Sequence, residues 1–439
     1  MMTARDKAGV ILKAAIAAVQ PASLLPAHLY VAGNWLYIMK QRFLLSELPN
    51  IYIVGAGKAS AAMAASVEKV LGELITAGII VTKHHHALPL QFIRCMEAAH
   101  PVPDEHGVVA TQATIDLLQQ AGANDIVICL VSGGASALWI DVPEGAVLQE
   151  VQETVDLLLK SGANIGEMNL TRTQLSRVKG GRLLQHAPLA RWFSFIISDV
   201  PGDHPAVIGS GPTVPANSNF REAMEVIGKY ELSSRLPASI LQYLSGGCQS
   251  ELERQPPPGT AATVSILNNI IGNNSLAISA AAACATGMGF TLAGVEQHLS
   301  GDAALTGRNI IQTGSGYRGI KPACFLFGGE TTVQVTSKGK GGRNQHLALS
   351  ALVQLTLADT RNSRITLLAA GTDGTDGPTD AAGAFADHIC LDRAQQENLD
   401  PGQFLEAQDA YHFFEKTGAL LKTGPTQTNV MDLVVMLVE

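Results

Sequence analysis

One theme recurs along the chain and constrains its architecture: a short run of apolar and β-branched residues, a loop rich in Gly, Ser or Asp, then an alanine-rich helix. IYIV leads through GAGKAS into AAMAASVEKVL, GIIVT ends in KHHH, DIVICLV leads into SGGASALW, and WFSFIIS leads into DVPGDHPAVIGSGP. Strands that are apolar throughout are covered on both faces, and helices between them imply a parallel, doubly wound sheet. At residues 244–260, LSGGCQSELERQPPPGT interrupts the theme with Gly, Ser and three successive prolines. Past it a looser version returns in TVSILN, FTLAGV, ACFLFGGETTVQV and ITLLAAGTDGTDGPTD. The expected fold is α/β in two domains, residues 1–245 and 260–439, the first with helices on both faces of its sheet. Ligands bind at the carboxyl ends of strands in such sheets, so the loops just quoted are the candidate chemistry. Two such edges facing each other would make an interdomain cleft.

Composition removes several function classes. With 46% hydrophobic and 15% charged residues the 439-residue chain is far from the disordered regime. Its net charge is -8 and its basic residues are dispersed, so it lacks the electrostatic footprint of a nucleic-acid or anionic-membrane binder. Six cysteines without a C-x-x-C pair read as free thiols in a reducing, cytoplasmic setting. The start, MMTARDKAGVILKAAIAAVQ, is interrupted by Asp6 and Lys13 and has helical periodicity, which predicts an amphipathic helix rather than a signal peptide. Residues 255–295 carry no charge, but Pro256, Pro257 and Pro258 and several Asn and Gly residues break them, so no membrane span is expected.

The turn from Gly55 to Ser60 opens a helix and would favour an anion at the helix N-terminus. It is not a Walker A loop, because Tyr52 stands where the first glycine belongs. As a dinucleotide fingerprint it has Ser60 for the third glycine, and the next strand ends in Lys83 rather than an acid. Lys83 would suit a 2′-phosphate, which keeps an NADP-dependent reductase as the alternative. Ser132-Gly133-Gly134-Ala135-Ser136 repeats the device as a small backbone nest. His100, held extended by the proline after it, could aim its imidazole into a cleft. The histidines of KHHHALP, by contrast, point to alternating sides of an extended strand end, so no metal is expected there.

MNLTRTQLSRVKGGRLL places Arg172, Arg177, Lys179 and Arg182 along one expected helix, either a solvated basic face or a complement to an anion. Asp199 and Asp203 follow an apolar strand, and Asp373, Asp376 and Asp380 follow another. Each set offers the hard oxygens that hold Mg²⁺ together with substrate phosphates. Arg343, on the flexible glycine loop GKGGRNQ before a helix, is suited to a bidentate grip on phosphate or carboxylate. Anion-binding turns, cations and carboxylates without a cysteine or histidine cluster are the equipment of phosphoryl transfer.

In order, GAGKAS, AHPVPDE, LVSGGASAL, LSRVKGGRL, SDVPGDHPAVIGSGPT, FGGETTVQV, GKGGRNQHLAL and AAGTDGTDGPTDAAGA resemble the motif series of the MOFRL-type glycerate 2-kinases, from about residue 5 to 437. The resemblance implies a Rossmann-like N-terminal domain, a C-terminal MOFRL domain, an active site in the cleft between them, and phosphorylation of D-glycerate on its 2-hydroxyl by ATP with a divalent metal. It places the family's lysine and arginine on Lys58 and Arg343, the expected catalytic pair, with Asp199 orienting the hydroxyl. The accompanying expectations are glycerate at Ser132, Gly133, Gly134, Ser136 and Arg172, and the nucleotide at Gly55, Gly57, Lys179, Gly329, Glu330, Thr331 and Asp373. Mg²⁺ is expected at Asp199, Asp203 and Asp376, and a homodimer is the one protein association entertained. The sequence departs from the family pattern at Thr173-Gln174 and in KHHHALP.

Overall fold

The computed structural model describes residues 2–216, 218–253, 265–357 and 364–439. Its contacts separate two compact units: Leu24–Ile271, and Met1–Ser23 together with Gly272–Glu439.

The first unit opens with an antiparallel meander of β1 (Leu29–Ala32), β2 (Trp35–Ile38) and β3 (Gln41–Leu44). Two-residue links join these strands, with Gly33 and Met39 at positive φ as tight hairpin turns require. Its central sheet follows, made of β4 (Ile51–Ala56), β5 (Ala77–Lys83), β6 (Ile93–Ala98), β7 (Ile126–Val131), β8 (Arg191–Ile197) and β9 (Ser265–Gly272), in the order β6-β5-β4-β7-β8-β9. The pairs from β6 across to β8 are all parallel. Every residue of β4 and β7 is buried, as continuous apolar runs demand. Tyr52, Val54 and Ala56 share a core with Ile115 and Leu118 of helix Glu105–Leu118, while Ile51 and Ile53, of opposite parity, are also buried.

A second core in this unit is built mainly from helices. Helices Leu148–Lys160, Ile165–Gln174, Phe220–Lys229 and Ala238–Glu253 bury Leu148, Val151, Leu158, Met168, Val226, Ile227, Ile240 and Leu244. The basic stretch expected as one helix is divided here. The α-helix stops at Gln174, and a 3-10 turn, Arg182–His186, follows Gly180 and Gly181, both at positive φ. Those glycines let the chain fold back closely: a Cβ on Gly181 would lie 2.5 Å from Cα of Pro215.

The second unit holds β10 (Thr291–Leu299), β11 (Ala323–Gly329), β12 (Ile365–Gly371), β13 (Gly383–Asp387), β14 (Leu420–Leu421) and β15 (Asp432–Val438), in the order β10-β11-β15-β12-β13-β14. This sheet is mixed. β10 and β11 are parallel, whereas β15 runs antiparallel between β11 and β12. The reversed strand brings its first residue, Asp432, opposite the last residues of its neighbours, Gly329 and Gly371.

Helix Ala4–Ala18 forms as expected, with a Thr3/Asp6 capping box and a buried face of Ala8, Ile11, Leu12 and Ala15. It lies with the second unit, not with residues 24–245. Arg5 donates Nε and Nη2 to the two oxygens of Asp387 at 2.6 and 2.7 Å, and Thr428 Oγ1 donates to the Val19 carbonyl at 2.7 Å. At the other border β9 joins the first sheet, so the units divide between Ile271 and Gly272, and the three prolines fall outside the described residues. Among the described residues no single helix is long and apolar enough to cross a membrane.

Candidate functional site

Lys58 follows β4 on a turn whose backbone donors are engaged inside the protein. Gly57 N–H donates to Val81 O at 3.1 Å, Lys58 N–H to Gly133 O at 2.9 Å, Ala59 N–H to Ser132 Oγ at 3.0 Å, and Ser60 N–H to Gly57 O at 3.1 Å. Gly57 has φ +134, and a Cβ there would overlap Ser132 Oγ and lie 2.6 Å from the Ser132 carbonyl oxygen. A Cβ on Gly55 would lie 2.7 Å from Leu130 O. At Gly55 and Gly57, expected at the nucleotide, glycine is required because neighbouring backbone approaches too closely for a side chain. Ser132 and Gly133, expected at glycerate, meet the same turn. The fully buried Ser132 hydroxyl and the Gly133 carbonyl join the turn after β7 to the turn after β4. These two turns present Lys58, Gly134 and His100 together, because a Cβ on Gly134 (φ +85) would meet His100 Cδ2 at 3.0 Å and Lys58 Cγ at 3.5 Å.

Beside them Ser136 Oγ lies 2.8 Å from Ser210 Oγ and accepts a hydrogen bond from Arg172 Nη2 at 2.6 Å. Burial lowers the pKa of Arg172, and among the described residues no carboxylate pairs with it. Lys179, expected at the nucleotide, is 2% exposed and donates its ammonium to Trp139 O at 2.6 Å. Burial pushes its pKa down to about 8, with Asp141 opposing and Arg172 reinforcing the shift. Its ammonium is held inside the protein.

Asp199 and Asp203 occupy the loop after β8, both partly exposed, and Asp203 has φ +54 with its N–H on Val200 O at 3.1 Å. As two accessible hard-oxygen donors at a strand end they fit Mg²⁺, which takes one or two carboxylates and completes its shell with waters and phosphate oxygens.

In the second unit Arg343 is the first residue of helix Arg343–Leu357. Its Nε and Nη2 donate to Asp432 Oδ2 and Oδ1 at 2.5 and 3.0 Å, and its Nη1 meets Glu330 Oε1 at 2.5 Å. Burial works against its charge, but Asp432, Glu330 and Asp376 outweigh it and hold the pKa above the ordinary arginine value. Asp376, expected at the metal, is buried. One of its oxygens accepts from Asn344 N–H (3.0 Å) and Asn344 Nδ2 (3.3 Å), the other from Gln345 N–H (2.8 Å). It caps the helix that carries Arg343, and burial pushes its pKa up to about 6 against those hydrogen bonds. Both oxygens of Asp376, expected at the metal, are thus engaged by the start of this helix. Asp373 closes its own turn, accepting from Thr375 N–H at 2.9 Å and Thr375 Oγ1 at 3.1 Å.

Gly329 is held close to β10, with a Cβ at 2.6 Å from Leu299 N, so it too is a packing glycine. The hydroxyl of Thr331 is buried without a hydrogen-bond partner among the described residues, which leaves it available to a ligand. The GKGGRNQ loop is pressed against its surroundings: a Cβ on Gly342 would overlap the Asp376 carboxylate, and one on Gly339 would overlap Ala407 O. Sequence reasoning missed Asp432 and Ser210. The one signal for Asp432 is an acid standing alone before the apolar run LVVMLV.

Residues 7–245 match the family described as a domain of unknown function, DUF4147, and residues 323–432 match the MOFRL family. D-glycerate 2-kinase of Thermotoga maritima is 39% identical over 400 residues, covering 89% of this chain and 91% of its own. Glycerate 2-kinase of Pyrococcus horikoshii is 36% identical over 397 residues, covering 89% of this chain and 87% of its own. A crystal structure of the Thermotoga maritima glycerate kinase superposes with a TM-score of 0.82 at 36% identity over 99% of both chains. The paired matches, the near-complete coverage and the shared fold agree with the motif series, and the chain belongs to the MOFRL-type glycerate 2-kinase family.

Proposed function

We propose that this protein transfers the γ-phosphoryl group of ATP to the 2-hydroxyl of D-glycerate. The observation in the site that carries this reading is Arg172, a substantially buried guanidinium without a carboxylate partner among the described residues, bonded to Ser136 Oγ next to Ser210. A cation in that state gains most from a small anion, and the carboxylate of glycerate is one. Ser136 adjoins it, two residues after Gly134, and Lys58 and His100 adjoin Gly134. In this reading Lys58 and Arg343 neutralise charge on the transferred phosphoryl oxygens, and Asp199 orients the 2-hydroxyl. Asp199 and Asp203 would hold Mg²⁺, which supplies charge neutralisation to the phosphates. Glu330 would yield the Nη1 edge of Arg343 to the nucleotide, and the unpartnered Thr331 hydroxyl would donate to it.

The competing NADP-dependent reductase is disfavoured because the turn that would cradle a pyrophosphate has its donors engaged by Val81, Gly133 and Ser132. Phosphorus NMR of the product from D-glycerate and ATP tests the proposal. The 2-phosphate is the expected product, and the 3-phosphate or no product, with NADPH oxidised by hydroxypyruvate, would overturn it.

A further inference from the structure

Outside the site just described, the chain gathers three metal-capable side chains that its sequence keeps apart. His84 lies just beyond β5, Asp104 is the N-cap of helix Glu105–Leu118, and His106 is in that helix's first turn. Asp104 Oδ2 lies 3.2 Å from His84 Nε2 and 2.9 Å from His106 Nδ1, and the three donor atoms all lie within 4.8 Å of one another. The adjacent histidines follow β5 in a turn, with His85 at φ +65, and not in the extended conformation expected of them. Convergence comes instead from the helix that follows β6, which returns His106 to the end of β5.

We infer that His84, Asp104 and His106 form a binding site for a divalent transition-metal ion of the zinc class, separate from the Mg²⁺ of phosphoryl transfer. Two ligands of a tetrahedral zinc ion at about 2.0–2.1 Å stand ~3.3 Å apart, and two of the three edges here already have about that length. The donor set of two imidazoles and a carboxylate suits zinc, cobalt, nickel or copper and not magnesium. The carboxylate is oriented for the task, since its second oxygen accepts from Ala99 N–H and Gly107 N–H at 3.1 Å each, leaving Oδ2 to the imidazoles. The backbone of His84 is fixed as well, its N–H donating to Ala98 O at 3.1 Å. Side-chain exposures of 39%, 29% and 71% for His84, Asp104 and His106 leave the ion reachable and an open position for water.

An ion there would tie the end of β5 to the helix start and fix both ends of the 99–104 loop, which carries His100 to Gly134 and Lys58. The site is thus placed to hold a residue beside the catalytic lysine without entering the reaction.

The test uses full-length, untagged protein stripped with a chelator and titrated with Co²⁺ and Zn²⁺. One equivalent of Co²⁺ should bind, with the visible absorption of a four-coordinate ion, and Zn²⁺ should displace it. His84→Gln and His106→Gln, at a half-buried and an exposed position that spare the helix cap, should each weaken binding by at least the 10–100-fold that loss of an outer partner costs. His85→Gln should leave it unchanged. Absence of binding at one equivalent, or binding indifferent to both histidine substitutions, would overturn the site and leave the cluster as hydrogen-bonded partners of Asp104. Because the readout is metal binding, it stands apart from whether glycerate is the substrate.

Discussion

Gly57→Ala separates a packing turn from a phosphate cradle. The new Cβ would overlap Ser132 Oγ and lie 2.6 and 2.8 Å from the carbonyl oxygen and carbon of Ser132, at a φ of +134 that alanine rarely adopts. Ser132 has little room to retreat, being fully buried with its N–H on Ala56 O and its carbonyl on Ala135 N–H. Backbone strain of about 1–3 kcal/mol and overpacking of about 1–3 kcal/mol combine to roughly 2–6 kcal/mol. At about 2–4 °C per kcal/mol, Tm should fall by roughly 5–20 °C. Adding Ser132→Gly removes the hydroxyl but not the backbone clash, so rescue should stay below about half. Thermal melts beside steady-state ATP kinetics at a temperature where both proteins are folded decide the matter. A variant with Tm within about 1 °C of wild type and an ATP KM raised tenfold would refute the packing argument and restore the cradle.

Lys58→Ala and Arg343→Ala should each lower kcat by about 10³-fold or more, read as ADP release with D-glycerate, if both cations meet the transferred phosphoryl group. Asp432→Asn keeps the shape but removes the charge that grips Arg343 through two bonds, so kcat should fall by about 10–100-fold and urea stability by roughly 1–3 kcal/mol. That stability figure is reduced from the fully buried case because the Arg343 side chain is 36% exposed. Wild-type kcat in that variant would remove Asp432 as a positioning residue. Lys179 titrates near 8 when folded against an ordinary 10.5, so the unfolded chain holds the extra proton between those values. Stability should therefore rise with pH from about 8 to 10.5, the cost of the buried charge being fully present below 8. The gain is of order 1–3 kcal/mol, and Lys179→Met should flatten it in urea midpoints taken at intervals across that range.

The sheets were legible because burial on both faces writes a strand as an unbroken apolar run, as in IVICLV and IYIVGA. The expected helix over 4–18 was legible from its cap and period, yet its place was not. Arg5 finds Asp387 across 382 positions, a pairing no local pattern announces. In the site, sequence displayed the strand-end loops and their cations but not what each glycine packs against. A glycine that admits a phosphate and one that admits a neighbouring carbonyl are the same letter, and Gly55, Gly57 and Gly329 are of the second kind. The acids show the converse. GTDGTDGPTD displays its aspartates, of which Asp376 caps a helix, while Asp432 holds Arg343 only because β15 runs backwards between two forward strands. The His84, Asp104 and His106 grouping was hidden in the same way by the crossover from β5 to the helix after β6.

Arg343 is not a bare cation awaiting a phosphate, and the charges around it say which contact must give way. Asp432 is 3% exposed and doubly bonded, so releasing it would strand a buried carboxylate at a cost of several kcal/mol. Glu330 is 39% exposed and meets the guanidinium at Nη1, a contact worth about 0–1 kcal/mol. If a phosphate meets Arg343, as proposed, it would take the place of Glu330 and leave the Asp432 grip intact, keeping the guanidinium plane aimed while exchanging its third partner. Glu330→Gln should accordingly cost less than about 1 kcal/mol of stability and lower the KM for ATP, with the gain fading as added salt screens the competing carboxylate. A raised KM at unchanged stability would mean that Glu330 itself contacts the nucleotide, and the exchange argued here would be wrong.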